Sequence, residues 1–283
     1  MFRYLQIDAT IDLTVLEAES TLGGTWSSAR VYPELLTQQP YGHYEAADFP
    51  MEQRDPDAPA GFIPSKRVHS YLEEYANTWN VLDKIRYNVT VERVQRAADG
   101  ITWQINIKGS NIPLICDKLI VATGLTSRPN LPNIPTSSFT PLVFHSRYLG
   151  EHHNALRSPD VSTITVYGGG KSAYDCANAA MKAGKKVNWI IRTGGEGVGM
   201  MIDARQLTRR LTELAWTPAM AALQMDPLNQ GWSYRFFHSG RNPLGYWLNW
   251  AFWGLASRKL LEQWDYDTNK NIAKLKPNFT DRA

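Results

Sequence analysis

Cysteine is scarce in this chain of 283 residues: only Cys116 and Cys176 occur, and neither sits in a CxxC or metal-type spacing. That excludes a disulfide framework, a local zinc module and a vicinal redox pair. The expectation is two reduced, buried thiols, no metal site and a cytoplasmic protein. Low-complexity tracts and internal repeats are also lacking. The opening residues 1–18 contain Arg3, Asp8, Asp12 and Glu17 and no apolar core of a signal peptide. No apolar run reaches the about 20 residues that span a bilayer, so no integral membrane segment is expected. The most apolar window, residues 245–256 (GYWLNWAFWGLA), is too short and reads as a buried aromatic helix, the other reading being a membrane-surface patch. An excess of one charge is missing too. Lys and Arg number 30 against 27 Asp and Glu, a net charge of +3, which implies neither nucleic acid nor an anionic membrane as partner. The oligomeric state is left open.

What is present is a globular composition, 43% hydrophobic and 20% charged, in a chain long enough for one large or two medium domains. The clearest unit lies in the second half. Residues 162–167 (STITVY) read as a buried strand, 171–183 as a helix closed by Gly184, and 186–191 (KVNWII) as the next strand. A parallel strand–helix–strand unit follows. In the first half, residues 12–16 (DLTVL) form a short apolar strand ending in Glu17. Residues 103–108 alternate as a half-buried strand, and 114–122 (LICDKLIVA) read as a more buried one. Residues 128–135 are proline-rich, like a linker between domains. A glycine-rich loop occupies 194–199, followed by helical, aromatic sequence to Trp264.

The turn between the two late strands is Gly168-Gly169-Gly170-Lys171-Ser172-Ala173, which fits GxGxxG/A. Such a turn lets the backbone approach a pyrophosphate, which then meets the amides opening the helix. The pattern is weak alone; a strand before it and a helix and strand after it make it a dinucleotide site. An acidic residue ending the second strand would suit the 2′-hydroxyl of NAD, whereas arginine suits a 2′-phosphate. Arg192 stands there and points to NADPH; the other reading of it is a solvated surface arginine. Glu17 holds the equivalent place in the first half, where a carboxylate would grip an adenosine ribose.

The stretches LTVLEAESTLGGTW (13–26), GHYEAADFPM (42–51), VATG (121–124) and YGGGKSAYD (167–175) resemble the flavin-containing and Baeyer–Villiger monooxygenase superfamily, above all its fungal secondary-metabolism branch. WNVLDKIRYNVTVERV (79–94) and KLKP (274–277) extend the likeness over nearly the whole chain. The resemblance implies an α/β fold of two dinucleotide-binding, Rossmann-like domains plus a helical aromatic segment. It implies flavin-side positions at Gly23, Gly24, Thr25 and Trp26, a ribose ligand at Glu17, and a crossing between the two sites at Ala122, Thr123 and Gly124. NADPH positions are implied at Gly168, Gly170, Lys171, Ser172, Ala173 and Arg192. The family chemistry is reduction of FAD by NADPH and oxygen transfer to a small, apolar metabolite.

The sequence departs from that pattern in three places. It enters inside what resembles the first helix, without the strand and GxGxxG turn that would hold the FAD pyrophosphate, so stoichiometric FAD retention is not expected. The signature FxGxxxHxxx(F/Y) appears with Pro141 for glycine and Leu149 for the aromatic, Tyr148 falling one place early; His145 is expected to be a structural hydrogen-bonder. The chain stops soon after KLKP. The polar run Thr37-Gln38-Gln39 also replaces a family segment near the flavin. The expected organisation is an incomplete FAD-type domain (1–138), an NADPH-type domain (139–200), an aromatic helical segment (201–265) and a return to the FAD-type domain (266–283). Two functions stay open: a FAD- and NADPH-dependent monooxygenase, or a flavin-free descendant acting as an isomerase, cyclase or non-catalytic binding protein. No catalytic side chain is assigned.

Overall fold

The computed structural model describes residues 11–42, 44–52, 62–124, 128–133, 138–192, 217–224, 231–262, 266, 268–270, 273 and 276. The first half is assembled from short strands around one amphipathic helix. β1 (Val15–Leu16) is followed by β2 (Leu36–Pro40) and β3 (Phe62–Pro64), which pair antiparallel with a register shift. Thr37 is buried in β2; its hydroxyl accepts the Ile63 N–H at 2.9 Å and donates to the Gln39 carbonyl at 2.6 Å. Part of the expected polar run is therefore internal scaffolding.

α1 (Ser65–Thr78) starts directly after Pro64, whose fixed φ already suits the entry to a helix. Val68, Tyr71 and Leu72 recur at helical spacing and point one face at Met51, Ile63, Phe49 and Trp26. The Tyr71 hydroxyl donates to the Phe49 carbonyl at 2.6 Å and accepts the Ala46 N–H at 2.7 Å, so the loop before β3 is hung on this helix. Each side chain of this size that leaves water contributes about 1.5–3 kcal/mol.

β4 (Ile85–Arg86) runs parallel to β1, with Val15 opposite Ile85 and Leu16 opposite Arg86. The expected strand over 12–16 thus keeps only its last two residues, the part that has a ladder partner. β5 (Val91–Arg96), β6 (Trp103–Ile107) and β7 (Leu114–Cys116) form an antiparallel meander in that order. The expected strand over 114–122 stops at Cys116. Residues 117–124 carry no regular structure, and Ile120 and Val121 are exposed. Their composition favours a strand, but an extended segment is held only by hydrogen bonds to a neighbour, and none pairs with it among the described residues. The expected linker has no regular structure at 128–133.

The second half follows expectation closely. After α2 (Leu149–Leu156), β8 (Thr163–Tyr167), α3 (Lys171–Lys182) and β9 (Lys186–Ile190) build the strand–helix–strand unit, and the two strands are parallel and in register over five pairs from Thr163–Lys186 to Tyr167–Ile190. Gly184, at φ +73°, ends α3, its N–H donating to the Met181 carbonyl at 2.9 Å. Val166, Ala173 and Ala177 form the core of this unit with Ile164, Val187 and Trp189 around them.

The two halves meet through a shared cluster. Tyr32 and Leu35 from the first pack with Leu149, Leu156 and Ala179 from the second. At the same seam a Cβ on Gly150 would lie 2.5 Å from the Ala29 carbonyl oxygen, and His153 Nε2 lies 2.7 Å from the Glu34 carboxylate.

The aromatic region holds α4 (Pro218–Ala221), α5 (Trp232–His238) and α6 (Pro243–Glu262). The expectation of a buried aromatic helix is not met. Trp247 and Trp250 are each 59% exposed and Leu255 68%. Among the described residues α6 meets α5 where Gly245 abuts the Phe236 carbonyl, and its Trp253 indole donates to the Leu223 carbonyl at 2.8 Å. No helix among the described residues is long and apolar enough to cross a membrane. The glycine-rich loop at 194–199, Trp264 and most of KLKP lie outside the described residues.

Candidate functional site

The turn after β8 is fixed from three directions. Gly168 adopts φ +131°, a conformation that side-chain-bearing residues rarely reach. Its N–H donates to the Ile190 carbonyl at 3.0 Å, and its own carbonyl accepts the Trp189 indole N–H at 2.6 Å. Both bonds come from β9, so the turn is tied to the end of the strand that leads to Arg192. Gly170 is the N-cap of α3, its carbonyl accepting from Ala173 N–H at 2.9 Å. No side chain caps this end, and no acidic residue lies in the first turn. The amides of Lys171 and Ser172 thus open α3 with the positive end of its dipole and without a protein anion. Arg192, two residues beyond β9, is exposed.

A Cβ at Gly170 would meet nothing within 4 Å, and its φ is an ordinary −84°. The protein's own packing does not require glycine there, and the open space leaves room for a group against the helix amides. The donor set therefore fits a dinucleotide pyrophosphate. Gly170→Ala is expected to cost about 0.5–1 kcal/mol of stability, since glycine caps a helix better than alanine, while weakening dinucleotide binding more than tenfold. Paired denaturation and titration curves check this, and equal binding would show that nothing approaches Gly170.

The side chain of Lys171 has protein partners. Its ammonium donates to the Leu36 carbonyl at 2.9 Å and to Asp175 Oδ2 at 2.6 Å. Burial raises the carboxyl of Asp175 above the usual aspartate range, with Lys171 opposing the shift. Next to it, burial and then the Asp175 charge push the Cys176 thiol up to about 11 from an ordinary 9.0. A raised thiol pKa leaves the protonated form in place at pH 8, so Cys176 should alkylate on the order of 100-fold more slowly in the folded than in the unfolded chain. Mass spectrometry after a timed iodoacetamide pulse reads this out; equal rates would place the thiol in solvent. Both cysteines are free and half-buried rather than fully buried as expected.

On the flavin-type side, Glu17 follows β1 directly and its carboxylate accepts the Glu19 N–H at 2.9 Å. Gly23 has φ +114°, and a Cβ on it would press on the Trp26 backbone at 3.0 Å, so the tight turn Gly24–Trp26 depends on it. Thr25 is exposed, while the Trp26 indole N–H donates to the Tyr44 hydroxyl. Tyr44 and Tyr71 also line an apolar groove of about 440 Å³ with Val68, Leu72 and Tyr75. Ala122, Thr123 and Gly124 are exposed on an irregular segment.

The sequence reading missed the link between the two sides. Glu19 accepts from Arg30 and, at 3.2 Å, from Arg147, which belongs to the segment of the histidine signature. His145 is the structural hydrogen-bonder expected: its Nδ1 accepts the Arg147 N–H at 3.1 Å. The Lys171–Asp175 pair carried a visible signal, opposite charges four apart on a helix. The Glu19–Arg147 pair, 128 residues apart, carried none.

A parallel β8–α3–β9 unit with a glycine turn, packed on a first half whose β1 ends at Glu17, has the form of a dinucleotide-binding fold. Residues 8–204 match the family described as pyridine nucleotide-disulphide oxidoreductase, and the chain belongs to that family. It is 36% identical over 287 residues to an FAD-dependent monooxygenase of Pyrenophora dematioidea, covering 97% of this chain and 52% of the relative. To one of Aspergillus sclerotiorum it is 34% identical, covering 97% and 49%. The kinship read from the motifs is borne out, and the chain spans about half the length of the curated relatives it matches. Among solved structures it resembles OTEMO in complex with FAD and NADP, with TM-score 0.55, 22% identity, and coverage of 68% of this chain and 36% of that one. Cyclohexanone monooxygenase from Rhodococcus sp. Phi1 bound to NADP+ gives 0.52 at 16% identity, covering 75% and 40%. At these identities the likeness establishes the fold, the α/β architecture of two Rossmann-like units expected from the sequence.

Proposed function

We propose that this chain carries the NADPH-binding unit and part of the FAD-binding unit of a monooxygenase acting on a small, apolar metabolite in the cytoplasm. The observation that carries the reading is the Gly168 turn, hydrogen-bonded to the end of β9 with Arg192 just beyond. In it, the amides of Lys171 and Ser172 donate to the pyrophosphate, Gly168, Gly170 and Ala173 allow its approach, and Arg192 pairs with the 2′-phosphate. Glu17 holds the adenosine ribose of FAD, residues Gly23, Gly24, Thr25 and Trp26 border its ring, and Ala122, Thr123 and Gly124 connect the two sides. FAD, when bound, supplies the redox centre that accepts hydride from NADPH and handles oxygen. The chain's part is to bind both nucleotides, orient them and keep water out. The division into FAD-type residues 1–138 and 266–283, NADPH-type residues 139–200 and a helical segment 201–265 belongs to the same proposal.

The similarity to FAD-dependent monooxygenases and the bound FAD and NADP of the OTEMO structure support this reading. The test is to load the purified protein with excess FAD, pass it through gel filtration and add cofactor without oxygen. Retained yellow colour, in less than stoichiometric amount, that NADPH bleaches and NADH does not is the expected result. A folded, colourless protein that still binds NADPH would overturn the redox reading in favour of a flavin-free binding protein.

A further inference from the structure

The lysine of the glycine turn has partners within the protein. Its ammonium is spent on two acceptors, the Leu36 carbonyl 135 residues earlier and the Asp175 carboxylate one helical turn on. The Lys171 side chain is 26% exposed and that of Asp175 16%, so this is a half-buried, charge-assisted pair rather than a surface one. Leu36 opens β2, and the residue before it, Leu35, accepts the N–H of Ser65, the first residue of α1. Leu35 also packs against the cluster that joins the two halves. The lysine at the first position of α3 therefore reaches across the seam and grips the start of the strand on the opposite side.

We infer that the Lys171 side chain, held by Asp175, is a positioning group that fixes β2 relative to the nucleotide turn, and not a phosphate ligand. The inference rests on the proposed function only for its consequence, the relative placement of the two cofactor sides; the strap itself is a property of the chain without ligand. A carbonyl at the start of a strand is a demanding anchor, because it fixes backbone and not a flexible side chain. Asp175 supplies the counter-charge that makes it favourable to keep the ammonium there, away from solvent. The phosphate site then relies on helix amides and Arg192 for its attraction to anions.

The experiment is amide hydrogen exchange on the ligand-free chain, combined with NADPH titration, for Lys171→Met, Lys171→Arg and Asp175→Asn. In the methionine variant, exchange over residues 36–40 should speed up at least tenfold, while β8 and β9 stay as protected as before. In Asp175→Asn, which leaves the residues of the turn untouched, the NADPH dissociation constant should stay within fivefold, and Lys171→Arg should restore most of the protection. A loss of affinity beyond fivefold in Asp175→Asn, or unchanged exchange in β2, overturns the inference; so does loosening confined to α3, the signature of a purely local role. If the methionine variant fails to fold, Asp175→Asn, which keeps an acceptor but removes the charge, must show the same β2-selective change in smaller measure. Should the natural protein bind no NADPH at all, the proposed function falls while the exchange result still decides the strap.

Discussion

Gly150→Ala is expected to destabilise the protein by about 2 kcal/mol, and Gly150→Leu to leave little folded chain. Gly150 is the second residue of α2, and a Cβ there would stand 2.5 Å from the Ala29 carbonyl oxygen and 2.7 Å and 2.8 Å from the Arg30 carbonyl carbon and oxygen. All three are backbone atoms, so neither rotation nor a flexible side chain relieves the contact. Helix propensity argues the other way, since alanine in place of glycine gains up to about 1 kcal/mol. The sign of the effect is therefore informative. The packing should win, because retreat of α2 from residues 29–30 would also open the cluster of Tyr32, Leu149 and Leu156 and separate His153 from Glu34. The denaturation midpoint decides it, and a more stable alanine variant would mean that the two halves are not pressed together at this helix.

Arg192→Glu is expected to weaken NADPH binding more than tenfold, at least about 1.4 kcal/mol, and to leave NADH binding unchanged. A guanidinium matches the geometry of a phosphate, and the carboxylate that replaces it would repel the 2′-phosphate that NADPH carries and NADH lacks. Arg192 is exposed and lies beyond the strand, so the protein's stability should not move with the substitution. A parallel loss for both cofactors would instead implicate the pyrophosphate. No change for either would identify Arg192 as a solvated surface residue.

How much of this was legible in the sequence depended on where each element finds its partners. The β8–α3–β9 unit could be read almost residue by residue, because strand, turn, helix and strand are consecutive and the apolar residues that hold them together, Val166, Ala173, Ala177 and Val187, lie within it. α1 carried a readable helical face in Val68, Tyr71 and Leu72, and went unread because no motif drew attention to it. Residues 118–122 misled for a physical reason: Leu119, Ile120 and Val121 have strand composition, and composition does not supply a neighbour to pair with. α6 misled in the same way. Ten tryptophans and a long apolar run favour burial, but burial is a property of what packs against a helix, and among the described residues Trp247, Trp250 and Leu255 stay exposed. Lys171 was read as an NADPH position from the motif; only three-dimensional placement shows its ammonium at Leu36.

The central claim is that the glycine turn and Arg192 form a site for a 2′-phosphorylated dinucleotide. It is tested most directly by titrating the purified, unmodified chain with NADPH and NADH in parallel and following binding by calorimetry. The account predicts saturable, one-to-one NADPH binding, at least tenfold tighter than NADH and weakened by added salt, since a charged group carries the difference. Equal affinity for the two cofactors, or no binding of either to a folded chain, would contradict it.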